Sequence, residues 1–144
     1  MNIKLSLVGI AAFVVLAGTS LSASAETEME KALNNGAQQL TADEIAEQFV
    51  GKTGIWVSAS GDRKMRIHYS EDNVLTGKQV KGEWSGSGYY GVANDDSICV
   101  SWDHVDEGRL RCLEVLVVDD VVTKFNVDGS LNGSYEKFED GKTF

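Results

Sequence analysis

The chain has 144 residues, with 22 acidic against 13 basic side chains and a formal net charge of −9. That excess of acid makes nucleic acid and anionic membrane surfaces poor partners. It is compatible with a basic partner or a cation, and equally with an acidic surface that serves only solubility.

Met1 to Ala25 carries a single cation, Lys4, then an apolar run from Leu5 to Ala17 broken only by Ser6 and Gly9, and ends on Ala23-Ser24-Ala25. This pattern predicts a secretory signal peptide cleaved after Ala25, and hence a periplasmic or secreted protein. The apolar run is shorter than the roughly 20 residues of a membrane span, and no second such run follows. No cysteine stands at the end of the run, so a lipid anchor is not expected. Cleavage removes one lysine and no acid, leaving 119 residues at a formal charge of −10. A chain of that size makes one domain rather than two.

Residues 26–40 are polar, contain Asn34-Asn35-Gly36 and lack a sustained apolar stripe, so they read as a flexible or weakly helical lead-in. Residues 41–144 form the folded domain. Thr41 followed three residues later by Glu44 fits a capping box, with Ile45, Phe49 and Val50 on one face and Gly51 as the stop. One short helix, Thr41 to Val50, is therefore expected to plug or flank the domain.

Beyond Gly51 the pattern changes to short strands punctuated by Gly, Asn and Asp. Gly54–Ala59 comes first, then Lys64–Tyr69 with Met65, Ile67 and Tyr69 on one face. Val74–Val80 follows the turn Glu71-Asp72-Asn73 and continues or restarts through Trp84. Ser85-Gly86-Ser87-Gly88 reads as a break before Tyr89–Ala93. After the turn Asn94-Asp95-Asp96 come two strands that hold the only cysteines, Cys99 and Cys112. Asp119-Asp120 is a two-residue connection into Val121–Asn126, and Asp128-Gly129 turns the chain into Leu131–Phe138. The tail from Glu139 is expected to fray. About eight strands at roughly 8–12-residue spacing, with no long crossover, predict a mainly β fold. The expected architecture is an antiparallel meander closing into a small barrel behind one short helix, since closure removes both sheet edges.

The cysteine hairpin is the most informative stretch. Ile98, Val100 and Trp102 alternate with Cys99 and Ser101, and Arg109–Val118 is rich in Val and Leu. A turn centred between Val105 and Asp106 sets Cys99 opposite Cys112, Val100 opposite Arg111 and Trp102 opposite Arg109. Directly opposed Cβ atoms lie about 4.5–5.5 Å apart, within easy adjustment of a disulfide. An exported protein meets oxidising conditions, which favours the bridge over two reduced buried thiols. In this register Arg111 shares a face with Val100, Leu113 and Val115, hence the interior. There it would need an internal carboxylate, an aromatic face or an anionic ligand as partner. A shift of one residue would turn it outward.

The helix, Gly54-Ile55-Trp56, Gly82-Glu83-Trp84, Ile98-Cys99, Arg111-Cys112 and Asp128-Gly129 together carry a family resemblance. From about Leu40 the chain resembles the small exported bacterial proteins grouped as domain-of-unknown-function family 995, and more distantly the G-x-W opening of lipocalins. The resemblance implies a calycin-like barrel with no assigned activity and no catalytic or ligand residues to carry over.

Enzyme signatures are missing: there is no Gly-x-Ser-x-Gly, no His-Glu-x-x-His and no phosphate-cradling glycine loop. His68 and His104 are the only neutral-pH bases, and both fall on polar, solvated positions. Asp103, His104, Asp106 and Glu107 cluster in one turn but lack the EF-hand spacing, and zinc would want more His or Cys. No catalytic residue, cofactor or metal is therefore expected. Trp56, Trp84, Tyr90 and Trp102, with Arg111, are the candidate ligand-binding residues. An eight-stranded barrel is either filled by its own side chains or holds one small ligand. The expected function is a non-enzymatic binding module for a small apolar or amphipathic molecule or another envelope component. The alternative is an inhibitor of an exported enzyme such as a lysozyme or protease, with the loop Asp103–Gly108 as the inserted element.

Overall fold

The computed structural model describes residues 23–144, so most of the expected signal peptide, residues 1–22, lies outside the described residues. Two short helices, α1 (Glu28–Asn34) and α2 (Ala42–Phe49), flank a two-residue strand, β1 (Gln38–Gln39). Eight further strands follow in an unbroken antiparallel meander: β2 (Lys52–Ser58), β3 (Lys64–Tyr69), β4 (Val74–Gln79), β5 (Ser85–Ala93), β6 (Ser97–Trp102), β7 (Arg111–Val118), β8 (Val121–Phe125) and β9 (Leu131–Asp140). Pairing of β9 with β2, from Lys52–Asp140 to Ser58–Gly133, closes the sheet into an eight-stranded barrel.

Local chemistry accounts for the turns. Asp119 and Asp120 both adopt positive φ (48° and 66°), the geometry of the type I′ hairpin that two-residue loops favour. At the β8–β9 turn Gly129 takes φ 80°, and the Asp128 carboxylate accepts the Ser130 backbone N–H at 2.9 Å.

Helix α2 carries the expected capping box between Thr41 and Glu44. Its first backbone N–H, on Ala42, also donates to Asp96 Oδ1 at 2.7 Å, which ties the helix to the β5–β6 turn. The apolar face then drops Ile45 and Phe49, both fully buried, into one end of the barrel. Phe49 meets Tyr69, Tyr135 and Phe138 edge-on at centroid distances of 5.0, 5.3 and 5.2 Å. Around this plug pack Ile67, Leu75, Tyr90, Ile98 and Val115. Burial of each such side chain contributes about 1.5–3 kcal/mol.

The cysteine hairpin has the expected register. Cys99 pairs with Cys112 and Val100 with Arg111, and the disulfide is formed. The ladder ends at that rung, however, so Trp102 does not pair with Arg109 but with Gly88 of β5.

Three further segments show more order than the sequence reading gave them. Ser85–Gly88, expected as a break, is the first half of β5. The glycines there make room for indole rings: a Cβ on Gly86 would lie 2.7 Å from Trp84, and one on its cross-strand partner Gly77 would lie 2.7 Å from Trp102. The lead-in forms α1, closed by a second capping box between Thr27 and Glu30. It is bound to the barrel by Met29 N–H to the Gly129 carbonyl (2.9 Å) and by the Leu131 N–H to Glu28 Oε2 (2.7 Å). β1 then pairs with Val117 and Leu116 of β7, beyond the point where β6 has ended, and so covers an otherwise open edge. The tail continues β9 to Asp140, and the Gly141 N–H donates to the Gly51 carbonyl at 2.8 Å.

Replacing both Cys99 and Cys112 by Ser is expected to lower the unfolding free energy by roughly 3 kcal/mol, as the chain-entropy cost of a loop this size requires. Urea unfolding of the oxidised protein and the double variant measures it.

Candidate functional site

The plug fills only one half of the barrel. Toward the other end the inward positions of β2 to β7 are Trp56, Met65, Gln79, Trp102, Val100 and Arg111, and between them lies a cavity of ≈ 380 Å³. All three tryptophans of the chain, Trp56, Trp84 and Trp102, line it. Trp84 and Trp102 pack edge to face at 5.7 Å, in the space left by Gly77 and Gly86. Trp56 lies over Gly133, where a Cβ would collide with the indole ring. The volume falls in the lower part of the ~300–1,000 Å³ range of small-molecule sites.

The rim is cationic although the chain is acidic. Arg63, Arg109 and Arg111 line the cavity. The Arg63 guanidinium lies 6.0 Å from the Trp56 ring centroid. Arg111, expected inside, does occupy an inward register position, but at the mouth, where its side chain is half-exposed and pairs with Asp106. The loop between β6 and β7 is drawn over the rim by that ion pair, and Val105 and Asp106 join the lining. Asp103 N–H donates to the Ser87 carbonyl at 2.9 Å, and Ser101 Oγ donates to the Gly108 carbonyl at 2.7 Å, fixing both ends of the loop. Glu107 is exposed and pairs weakly with Arg109 at 3.5 Å. His104 is exposed on the same loop. Among the described residues no group of three or more His, Cys, Asp or Glu is placed to hold a metal ion, and none of the helices is long and apolar enough to cross a membrane.

Tyr90, grouped with the tryptophans by sequence, is not in the cavity. It is buried in the plugged half, edge-on to Tyr69 at 5.1 Å, and its hydroxyl donates to the Ser70 carbonyl at 2.5 Å. His68 faces the outer side of β3, within reach of Thr53 Oγ1 and the Lys52 carbonyl.

Lys124 is the residue that sequence reasoning missed. It is 4 % exposed, faces inward from β8 and lines the deep part of the cavity. Its ammonium sits 5.2 Å from the Tyr135 ring centroid and donates at 3.4 Å to the Tyr69 hydroxyl, which itself meets the Tyr135 hydroxyl at 2.5 Å. No carboxylate among the described residues pairs with it. Burial without a counter-charge pushes its pKa down from 10.5 to about 7. Burial raises the pKa of Tyr69 and Tyr135. Phase within Val121-Val122-Thr123-Lys124-Phe125 gives no signal, since apolar residues stand in both phases; the inward side follows from the pairing of Lys124 with the buried Val115 of β7.

No protein-family model, curated protein or solved structure matches the chain. The resemblance to family 995 therefore has no support from these comparisons. What fold and site define is an eight-stranded antiparallel barrel, plugged by a helix at one end and open at the other onto an aromatic cavity with a buried lysine.

The unfolded chain holds the Lys124 proton up to about pH 10.5, while the folded protein releases it near pH 7. Between those values the unfolded state binds more protons, so stability rises with pH through this window until the buried tyrosines begin to titrate in the unfolded chain near pH 10. Lys124→Met is expected to raise stability near pH 7 and to flatten that rise. Urea midpoints measured from pH 6 to pH 9.5 on both proteins check it.

Proposed function

We propose that the protein is an exported, non-enzymatic barrel that takes one small amphipathic molecule into the cavity between Trp56, Trp84 and Trp102. The carrying observation is that all three tryptophans of the chain line one cavity of ≈ 380 Å³ at the open end, Trp56 and Trp102 with their other sides packed against the buried core. Large rings held in place by opposing glycines form a preformed wall, so ligand entry orders few side chains. The Cys99–Cys112 disulfide and the N-terminal signal pattern support export.

Titration with anilinonaphthalene sulfonate, an amphipathic aromatic probe, should give saturable energy transfer from tryptophan at one site per chain. Met65→Trp, which places a large ring in the void, should weaken binding at least about tenfold, or roughly 1.4 kcal/mol. Near-ultraviolet circular dichroism verifies that the variant remains packed. Unchanged probe affinity in a packed variant sinks the reading.

The inhibitor reading draws on the exposed, hydrogen-bonded loop Asp103–Gly108. It takes second place because the Asp106–Arg111 ion pair and the cavity-lining Val105 tie the loop to the mouth of the void.

A further inference from the structure

Lys124 is difficult to explain as a structural residue. Its strand position pairs with Val115 on β7 and Gly133 on β9, and a methionine or leucine would pack there without an ammonium to desolvate. The fold gives the ammonium one long hydrogen bond and one aromatic face, against its capacity for three donated bonds.

A second buried donor lies beside it. Trp56 Nε1 is buried and has no hydrogen-bond partner. It lies against Gly133, the cross-strand partner of Lys124. Opposed Cα atoms on neighbouring strands are about 4.5–5.5 Å apart, so the indole N–H and the lysine stem occupy the same patch of wall. Both residues line the cavity. An indole N–H can only donate, and so can an ammonium. The indole N–H is sealed against the Gly133 backbone, which leaves the under-used ammonium of Lys124 as the donor that calls for a ligand group that accepts.

We propose that the cavity's ligand is a small amphipathic acid, bound acid-first, whose carboxylate takes a hydrogen bond from Lys124 Nζ while its apolar body lies against Trp84 and Trp102. This rests on the cavity being the binding site. The rim arginines serve less well as the anchor: Arg111 is engaged by Asp106, Arg109 is largely exposed, and solvated cations discriminate weakly between a charged and a neutral ligand. At Lys124 the cost of burying the cation is already present in the free protein, and an incoming anion offsets it at low dielectric. Binding an acid then recharges Lys124, so it takes up a proton wherever the free protein holds the amine neutral. The groups facing Lys124 are Tyr69 from β3, Tyr135 from β9, Trp56 from β2 and, nearer the mouth, Arg111 of β7 with its partner Asp106. Burial holds both tyrosines protonated through neutral pH.

The test is calorimetric titration of the full chain with decanoate and with decanol between pH 6 and pH 9. The proposal expects decanoate to bind at least about tenfold more tightly than decanol at pH 6, with that preference shrinking as pH rises past 7. Lys124→Met should keep decanol binding, abolish the preference and remove its pH dependence, and Arg111→Gln should retain the preference. Equal binding of the two ligands to the wild type, or a preference that survives Lys124→Met, overturns the proposal and leaves the cavity reading standing. Failure of both ligands to bind overturns both.

Discussion

The edge-on packing of Phe49 against Tyr69, Tyr135 and Phe138 decides how the interior of the barrel is divided. An eight-stranded barrel is wide enough that its own strands do not always fill it. Here one end is filled by a helix delivered from outside, and the aromatic rings that receive it form the floor of what remains. The tyrosine hydroxyls of that floor face away from the helix plug toward Lys124, so the same rings present an apolar edge to α2 and a polar tip to the void. Plug and cavity share one wall.

Above the floor, size complementarity replaces close packing. Gly54 leaves room for Tyr135, Gly77 and Gly86 for Trp84 and Trp102, and Gly133 for Trp56. Each pairing puts a large ring over bare backbone, on the neighbouring strand for Tyr135 and Trp56 and across β5 for Trp102 over Gly77.

Much of the architecture was legible from period and punctuation. The cysteine hairpin register followed from alternation about a polar turn, and the capping box of Thr41 and Glu44 placed α2. The strand content of Ser85–Gly88 was not legible, because glycine and serine in a row have the composition of a loop; only the rings that fill the missing side-chain volume reveal a strand. The lead-in, expected as flexible or weakly helical, holds its short helix for a related reason. Its stability comes from contacts with the β8–β9 turn and the edge of β7, distant in sequence, and not from an apolar stripe of its own. At the site, the three tryptophans and Arg111 were singled out from residue type and face, and Tyr90 went astray because ring content does not say which half of a barrel a ring occupies. Lys124 was hidden because a lysine in a strand ordinarily points to solvent, and its depth depends on neighbours from β2, β3 and β9.

The loop over the mouth bears on how fast anything enters or leaves. His104, Asp106 and Glu107 all hold left-handed backbone, a conformation that costs non-glycine residues of order 1 kcal/mol or more each, and persists only where surrounding bonds over-determine it. Those bonds are present on both sides, and one rung below them the strands are joined by the disulfide. Such a loop is a fixed collar and not a hinged flap. For a ligand of the kind proposed above, exchange through such a collar would be governed by the girth of the molecule against the aperture, so two ligands of equal affinity but different cross-section would differ in residence time.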